Sequence, residues 1–186
     1  MEGIFEHKKD LKGHASGIYT LAADAKLLYS GSGDGMLASW DLETLEPAPF
    51  SVNVGNPIYS VAVNGDRLYI GQNKGGLHVV DRLQKKELHH IQIHKNGVFD
   101  ILINPSDNRL YTAGGEGSIG VFDLVDMRLQ IQIPLAQKKL RDLSLSPDGK
   151  FLLVSSSNGY IYVLETDYMN ELYNFKAHEG GAYGLN

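Results

Sequence analysis

Repetition constrains the fold of this chain more than any single motif does. Five segments align on a common period, and their third residues are spaced 40, 40, 42 and 42 apart: Tyr19, Tyr59, Phe99, Arg141 and Tyr183. A second series of segments ends at acidic residues that are 40, 42 and 42 apart: Asp41, Asp81, Asp123 and Glu165. Two independent registers with the same period indicate that one supersecondary unit is repeated along the chain.

Each unit contains signals for four β-strands and no amphipathic helical pattern. Runs such as LLYSGS and RLYIGQ are rich in strand-forming residues and are bounded by turn residues. Polar-glycine pairs such as Lys74-Gly75 and Glu116-Gly117 then predict hairpin turns that need positive φ. Fourth, outer strands are predicted around residues 48–53, 87–93, 128–133 and 171–176. Four strands in about 40 residues predict one four-stranded antiparallel sheet per unit.

The first unit resembles the WD-repeat β-propeller family. The run LKGH ends in Gly13-His14, SGSGDG follows, and Trp40-Asp41 closes the third strand at the separation typical of the family. The resemblance covers essentially the whole chain, but the Trp-Asp position degenerates in later units to Val80-Asp81, Phe122-Asp123 and Leu164-Glu165. It implies an all-β fold, a β-propeller made of four-stranded antiparallel blades.

The repeat register predicts a single propeller segment over residues 1–186. Its units fall at about 12–53, 54–93, 94–135 and 136–177, with a partial fifth unit at 178–186. Because the family usually closes seven blades, we expect an incomplete arc of about four blades, the N-terminal part of a longer chain. An N-terminal outer strand is expected at about residues 4–11. A blade buries one face against each neighbour, so we also expect self-association through the open blade faces.

Composition narrows the classes of partner and compartment. Seventeen Lys and Arg against twenty-two Asp and Glu give a net charge of −5, which offers no electrostatic footprint for nucleic acid. Cysteine is absent, which excludes disulfides and thiolate metal sites. The charged N-terminus is unlike a signal peptide, and no apolar run approaches the roughly 18 residues that span a bilayer. We therefore predict a cytoplasmic protein that binds neither nucleic acid nor membrane.

Motifs for catalysis or metal binding do not fit their required contexts. Residues 71–76 have the glycine spacing of a phosphate-binding loop, but they continue into a strand rather than a helix. His89 and His90 are adjacent in a predicted strand and point to opposite faces, so together with His94 they are a poor metal site. We predict no catalytic residue, no cofactor and no metal.

One candidate set mixes a histidine, a serine, an acid and a tryptophan: His14, Ser30, Asp34 and Trp40. Its residue types suit either nucleophilic catalysis or a structural network. The family resemblance implies the structural role, in which indole donates to hydroxyl, hydroxyl reaches imidazole and imidazole reaches the turn carboxylate. Ser32 could take the place of Ser30. The third unit keeps a partial set: His94, Thr112 and Glu116.

A second set lies five residues after the histidine position of each unit, where the family tends to reach the top rim of the central channel: Tyr19, Tyr59, Phe99, Arg141 and Tyr183. Tyr19 and Thr20 break the apolar alternation of their strand, which predicts a β-bulge that re-aims a side chain. These rim residues could anchor a protein partner or hold a cation, or they could only pack on one another. Their neighbours are expected to add polar specificity: Thr20, Ser60, Asp100 and Asp142.

The sequence therefore predicts a non-catalytic scaffold that presents one propeller face to a protein or peptide. Two alternatives remain. One is a propeller enzyme, such as a lactonase-like hydrolase, which would need convergent carboxylates or histidines in the central channel. The other is a purely structural repeat in a larger assembly. Fold alone does not decide among them, because one fold carries many functions.

Overall fold

Residues 6–185 are described by a computed structural model, and they form sixteen β-strands and no helix. The first sheet contains β1 (Ile18–Ala23), β2 (Leu27–Ser32), β3 (Met36–Asp41) and β4 (Pro47–Asn53). The second contains β5 (Ile58–Asn64), β6 (Arg67–Gln72), β7 (Gly76–Asp81) and β8 (Lys86–Gln92). The third contains β9 (Val98–Asn104), β10 (Arg109–Gly114), β11 (Ser118–Asp123) and β12 (Leu129–Pro134). The fourth contains β13 (Leu140–Leu145), β14 (Phe151–Ser156), β15 (Tyr160–Glu165) and β16 (Glu171–Lys176).

Each sheet is built from four consecutive antiparallel strands, which confirms the predicted all-β architecture of four-stranded blades. The outer strands β4, β8, β12 and β16 agree with their predicted positions to within one residue. The turn between the second and third strands of each blade lies at one end of the sheet, which we call the upper face. Across the residues described, no helix is present that could cross a membrane.

Two strands expected from the sequence are not formed. Residues 6–11 of the expected N-terminal strand are not in a strand, and residues 4 and 5 lie outside the described part of the chain. The partial fifth unit at 178–186, where the repeat pattern would place the next inner strand, likewise forms no strand over 178–185, and Asn186 lies outside the described part of the chain. A strand needs a neighbouring backbone to satisfy its N–H and C=O groups, and no described strand pairs with either segment.

The hydrophobic core lies between neighbouring blades. Three clusters of buried side chains fill the three junctions, each joining the inner and middle strands of adjacent sheets. A tyrosine on the second strand of the first three blades is fully buried in this way: Tyr29, Tyr69 and Tyr111. The outward faces of the first and fourth blades expose apolar side chains instead, including Ile18, Leu21, Phe151 and Tyr173. Each blade is therefore stabilised mainly by its neighbours.

Arginines link consecutive blades, a role that was not predicted from the sequence. Arg67 donates from Nη1 to the backbone carbonyl oxygens of Leu124 (3.1 Å) and Val125 (3.0 Å) in the next blade. Arg109 repeats the contact with the carbonyl oxygen of Thr166. These bonds join residues 57 and 58 positions apart, because each arginine at the start of a second strand reaches the turn after the third strand of the following blade.

Candidate functional site

The predicted β-bulge is present in all four inner strands. In the first blade, Ile18 pairs with Ser32 and Thr20 pairs with Gly31, so Tyr19 is the extra residue. The same register shift occurs in β5, β9 and β13, where the extra residues are Tyr59, Phe99 and Arg141. A bulge bends the strand and turns the extra side chain out of the regular alternation. The bulges therefore direct four equivalent side chains toward the upper end of the inner strands.

The five rim residues form one continuous array, which we call the rim ladder: Tyr19, Tyr59, Phe99, Arg141 and Tyr183. The ring centroids of Tyr19 and Tyr59 are 5.7 Å apart in an edge-to-face arrangement. The centroids of Tyr59 and Phe99 are 5.1 Å apart. The guanidinium carbon of Arg141 lies 4.6 Å from the Phe99 centroid and 4.9 Å from the Tyr183 centroid. These separations are typical of aromatic pairs and cation–π contacts.

Glycines in the adjoining loops make room for the rim ladder. A Cβ on Gly115 would lie 2.8 Å from Cε2 of Phe99 and 2.0 Å from the carbonyl oxygen of Asn96. Gly97 adopts a φ of 99° beside the rings of Tyr59 and Phe99. A side chain at either glycine would displace the rings or the backbone of the next loop. The loops therefore hold the aromatic rings close to the backbone in a defined orientation.

Exposure varies along the rim ladder. Tyr19 and Tyr183, at its two ends, are 59% and 65% exposed, whereas the three side chains between them are half-buried. The members thus pack on one another and also leave ring surface in contact with solvent. Both readings made from the sequence, mutual packing and a partner-binding surface, are compatible with this geometry, and the binding role remains a prediction.

Three of the four polar residues that follow the bulges make hydrogen bonds to other segments that were not predicted. The Ser60 hydroxyl is buried and donates to the Val98 carbonyl oxygen of the next blade at 2.9 Å. The Asp100 carboxylate likewise accepts the N–H of Leu143 at 2.8 Å, and Asp142 accepts a further N–H beyond the fourth blade. These three side chains therefore bond backbone groups of neighbouring segments, and the polar specificity expected of them at the rim stays a prediction.

Asp100 is the most perturbed carboxyl group in this region. Burial, followed by the charge of the nearby Asp142, raises the pKa of Asp100 to about 7, although the N–H groups of Leu143 and Ile101 oppose the shift. Both effects disfavour the charged form, because a buried charge loses hydration and a like charge repels it. Asp100 consequently titrates near neutral pH at the junction between the third and fourth blades.

The His14, Ser30, Asp34 and Trp40 side chains form a hydrogen-bonded chain within the first blade. The Trp40 indole Nε1 donates to the Ser30 hydroxyl at 2.8 Å, and that hydroxyl lies 2.7 Å from His14 Nε2. His14 Nδ1 lies 3.2 Å from a carboxylate oxygen of Asp34. Ser30, rather than Ser32, occupies the central position. With Nδ1 protonated, Ser30 donates to Nε2 and each donor has one acceptor.

The charge state of Asp34 fits this arrangement. Burial alone would raise the pKa of Asp34, but N–H groups of Met36 and Ala15 and the side chains of Ser32 and His14 hold it below its usual value. The carboxylate is therefore ionised at neutral pH and accepts hydrogen bonds from the N–H groups of the turn that it closes.

This hydrogen-bonded network has the hydroxyl–imidazole–carboxylate order of a catalytic triad, but its hydroxyl is not accessible to a substrate. Ser30 is only 1% exposed, and the Trp40 indole already occupies its hydroxyl. A nucleophile must instead reach a substrate carbon at the surface of a cleft. The geometry therefore favours the structural role that the family resemblance implies.

Trp40→Phe is expected to lower the free energy of unfolding by about 1 to 3 kcal/mol, because it leaves the buried Ser30 hydroxyl without its indole donor. Urea denaturation followed by circular dichroism measures the change. A variant as stable as wild type would mean that the indole hydrogen bond adds nothing. Phe122 occupies the position of Trp40 in the third blade. Phe122→Tyr adds a hydroxyl group there and tests whether that blade offers it a hydrogen-bond acceptor.

Later blades carry different versions of this hydrogen-bonded network. In the third blade, His94 Nε2 lies 2.8 Å from the Thr112 hydroxyl and Nδ1 lies 2.6 Å from a Glu116 carboxylate oxygen. Burial lowers the pKa of His94, although Glu116 favours the charged form. The ring is thus neutral at pH 7, with one nitrogen donating and the other accepting.

The second blade has a polar cluster that was missed from the sequence. His78 Nδ1 lies 2.6 Å from a Glu87 carboxylate oxygen, and its ring stacks on His90 with centroids 4.2 Å apart. The pair lines a groove of about 710 Å³ between β4 and the outer half of the second blade, away from the rim ladder. His78 and His90 are paired directly across β7 and β8, and this pairing is the sequence signal from which the polar cluster could have been predicted. Within residues 6–185, no three His, Asp or Glu side chains are grouped to hold a metal ion.

The amino-acid sequence is similar to one family model and to several curated proteins. The family model described as "WD domain, G-beta repeat" matches residues 5–41, 85–123 and 133–164. WD repeat-containing protein 55 of Mus musculus is 30% identical over 108 residues, which are 58% of this chain and 28% of that protein. Autophagy-related protein 18 of Dictyostelium discoideum is 27% identical over 125 residues, or 62% of this chain and 34% of that protein.

A solved structure with the same fold is the computationally designed Ika8 protein, with a TM-score of 0.81 at 19% identity over 95% of this chain and 54% of that one. The TM-score shows a shared fold, and at this low sequence identity it shows nothing more. The chain spans about a third or less of the length of the curated relatives described above.

Proposed function

This chain belongs to the WD-repeat family, and from that premise we propose that it is a non-catalytic scaffold whose rim ladder binds a protein or peptide partner. The single observation that carries the proposal is the continuous array from Tyr19 to Tyr183 at one end of the inner strands. Proteins of this family are broadly protein-interaction scaffolds, which supports the class of function but not the choice of face.

The chemistry of the rim ladder suits recognition. Tyrosine and arginine are enriched among residues that dominate binding energy, because both combine apolar surface with a polar end. Tyrosine also loses little conformational freedom on binding. Here the bulges, the ring–ring contacts and the adjoining glycines already fix the side chains before a partner arrives. Pre-organisation of this kind lowers the entropic cost of association.

A hydrolase acting in the central channel is less well supported. Such an enzyme needs a carboxylate or histidine that faces substrate with a free oxygen or nitrogen. The carboxyl groups on the described inner strands, Asp100 and Asp142, instead accept backbone N–H groups from neighbouring segments. The Ser30 hydroxyl is buried and paired. These contacts favour a scaffold.

The proposal predicts that the double variant Tyr59→Ala, Phe99→Ala loses partners that wild-type protein captures in a pull-down from cell extract. Removing two adjacent rings from the centre of the rim ladder should weaken binding at least tenfold. The matched control is Leu83→Ala, Tyr168→Ala, which removes two highly exposed apolar side chains from turns at the opposite end of the blades. Equal thermal midpoints would establish that both variants are folded. Identical partner lists from wild type and the rim variant would refute the proposal.

A further inference from the structure

Within the described part of the chain, Arg141 differs from the other four arginines in having no polar partner. Arg67, Arg82 and Arg109 bond carbonyl or carboxylate oxygens of other segments, and Arg128 lies 3.9 Å from Asp126. Among residues 6–185, by contrast, no side chain or backbone group accepts a hydrogen bond from Arg141, and no carboxylate lies within 4.0 Å of it. Its Nε is buried without an acceptor. The guanidinium therefore retains unused donors.

Two aromatic rings hold this guanidinium in place. Phe99 and Tyr183 lie on either side of it, at 4.6 Å and 4.9 Å. Cation–π contacts restrain the arginine without neutralising its charge or occupying its N–H groups. A restrained guanidinium loses less side-chain entropy when it binds an oxyanion in a bidentate manner.

A second cation shares the same ring. The Lys139 ammonium lies 5.5 Å from the Phe99 centroid, and the side chain is exposed. Because both positive charges lie at the same ring, an anion bound between or beside them would be attracted by both. The Phe99 position of the rim ladder is thus suited to an anionic group, and a cationic ligand would be repelled there.

The rest of the upper face carries charges of both signs. Its loops carry the exposed residues Lys74, Lys95 and Lys138, none of which forms an ion pair with the described residues. The carboxylates near it are hydrogen-bonded or paired: Asp34 and Glu116 accept from histidines and N–H groups, Asp100 and Asp142 accept N–H groups of neighbouring segments, and the exposed Glu179 pairs with Lys176. A hydrogen bond from an N–H group does not remove a carboxylate's charge, so the cations without an ion pair among the described residues are a local feature: Arg141 and Lys139 at the rim ladder and the three lysines of the loops.

We propose that the rim ladder binds an acidic peptide segment, with an Asp or Glu carboxylate on Arg141 and Lys139 and an apolar side chain against Tyr19 and Tyr59. This assignment rests on the proposed function and names the chemistry of its partner. The arginine gives bidentate recognition of a carboxylate, and the two tyrosines supply apolar area at the opposite end of the ladder.

Selection of twelve-residue peptides from a random displayed library on the immobilised chain tests the proposal. We expect the selected peptides to be enriched in Asp and Glu. A synthetic peptide from the selection should bind at least tenfold more weakly to Arg141→Gln, Lys139→Gln, and when its acidic residues are replaced by Asn or Gln. Arg128→Gln removes an exposed charge at the opposite end of the blades and should bind as wild type does.

The outcomes separate the two proposals. Peptides that need Tyr59 but show no acidic preference would overturn the acidic-peptide inference and leave the scaffold proposal standing. Failure to select any peptide that depends on the rim ladder would overturn both. If a phosphoserine peptide bound while its acidic counterpart did not, the commitment to carboxylates would be wrong. Circular dichroism and thermal midpoints of all variants confirm that binding is measured on folded protein.

Discussion

Replacing Gly117 with alanine is expected to lower the free energy of unfolding by about 3 to 5 kcal/mol, enough to unfold much of the third blade. Gly117 has a φ of 94°, which L side chains adopt only with strain. A Cβ at this position would lie 1.9 Å from the carbonyl oxygen of Ala136, so the backbone itself must move. That movement would break the bonds from the N–H groups of Leu135 and Ala136 to the Gly117 carbonyl oxygen.

Gly55→Ala is the matched control. Gly55 also has a positive φ, 72°, but no heavy atom lies within 4 Å of the position that its Cβ would occupy. This variant should lose about 1 kcal/mol, the cost of the backbone conformation alone. Urea or thermal denaturation of the two variants compares them directly. Equal losses would show that the close approach of Ala136 contributes nothing to the requirement for glycine.

Asp100→Asn is expected to stabilise the protein at pH 8 by about 2 to 4 kcal/mol and to have almost no effect at pH 4. The folded-state pKa of Asp100 is raised to about 7, whereas an aspartate in an unfolded chain titrates near 3.9. The stabilisation from the protonated carboxyl is therefore complete below about pH 4 and is lost as the pH rises toward and through 7. Asparagine has no charge to desolvate, and its amide oxygen can still accept the Leu143 N–H.

The measurement is the free energy of unfolding of wild type and variant at several pH values between 4 and 8. Asp142→Asn should reduce the same pH dependence, because it removes the like charge beside Asp100. The exposed Asp167 serves as a control, since Asp167→Asn should leave the pH profile unchanged. Parallel profiles for wild type and Asp100→Asn would mean that Asp100 is ionised at neutral pH at no energetic cost.

Features that depend on local patterns could be predicted from the sequence. The outer strands follow from alternation and from turn residues, so their bounds were right to within one residue. The bulge at Tyr19 could be read from two consecutive residues that interrupt an apolar alternation. The period of the repeat then transferred that reading to Tyr59, Phe99 and Arg141, which the structure brings together.

Features that depend on contacts between blades could not be predicted in the same way. The orientations of Ser60 and Asp100 are set by backbone groups 38 and 43 residues further along the chain. Nothing in their own strands reveals which carbonyl or N–H group will face them. The second blade lacks the histidine of the family pattern and uses His78, from a different strand, in its polar cluster. The expected N-terminal strand failed because no described strand offers it a backbone partner.

The arginine links between blades have a consequence for how the sequence can diverge. Arg67 and Arg109 bind carbonyl oxygens, which every amino acid supplies whatever its side chain. The turns at residues 124–125 and 166–167 can therefore accept many substitutions while the links persist, whereas each link needs a long side chain with an N–H donor at the arginine position. Substitutions should therefore be tolerated more readily in the acceptor turns than at the arginines. A turn can change its sequence, and the link persists without a compensating substitution at the arginine.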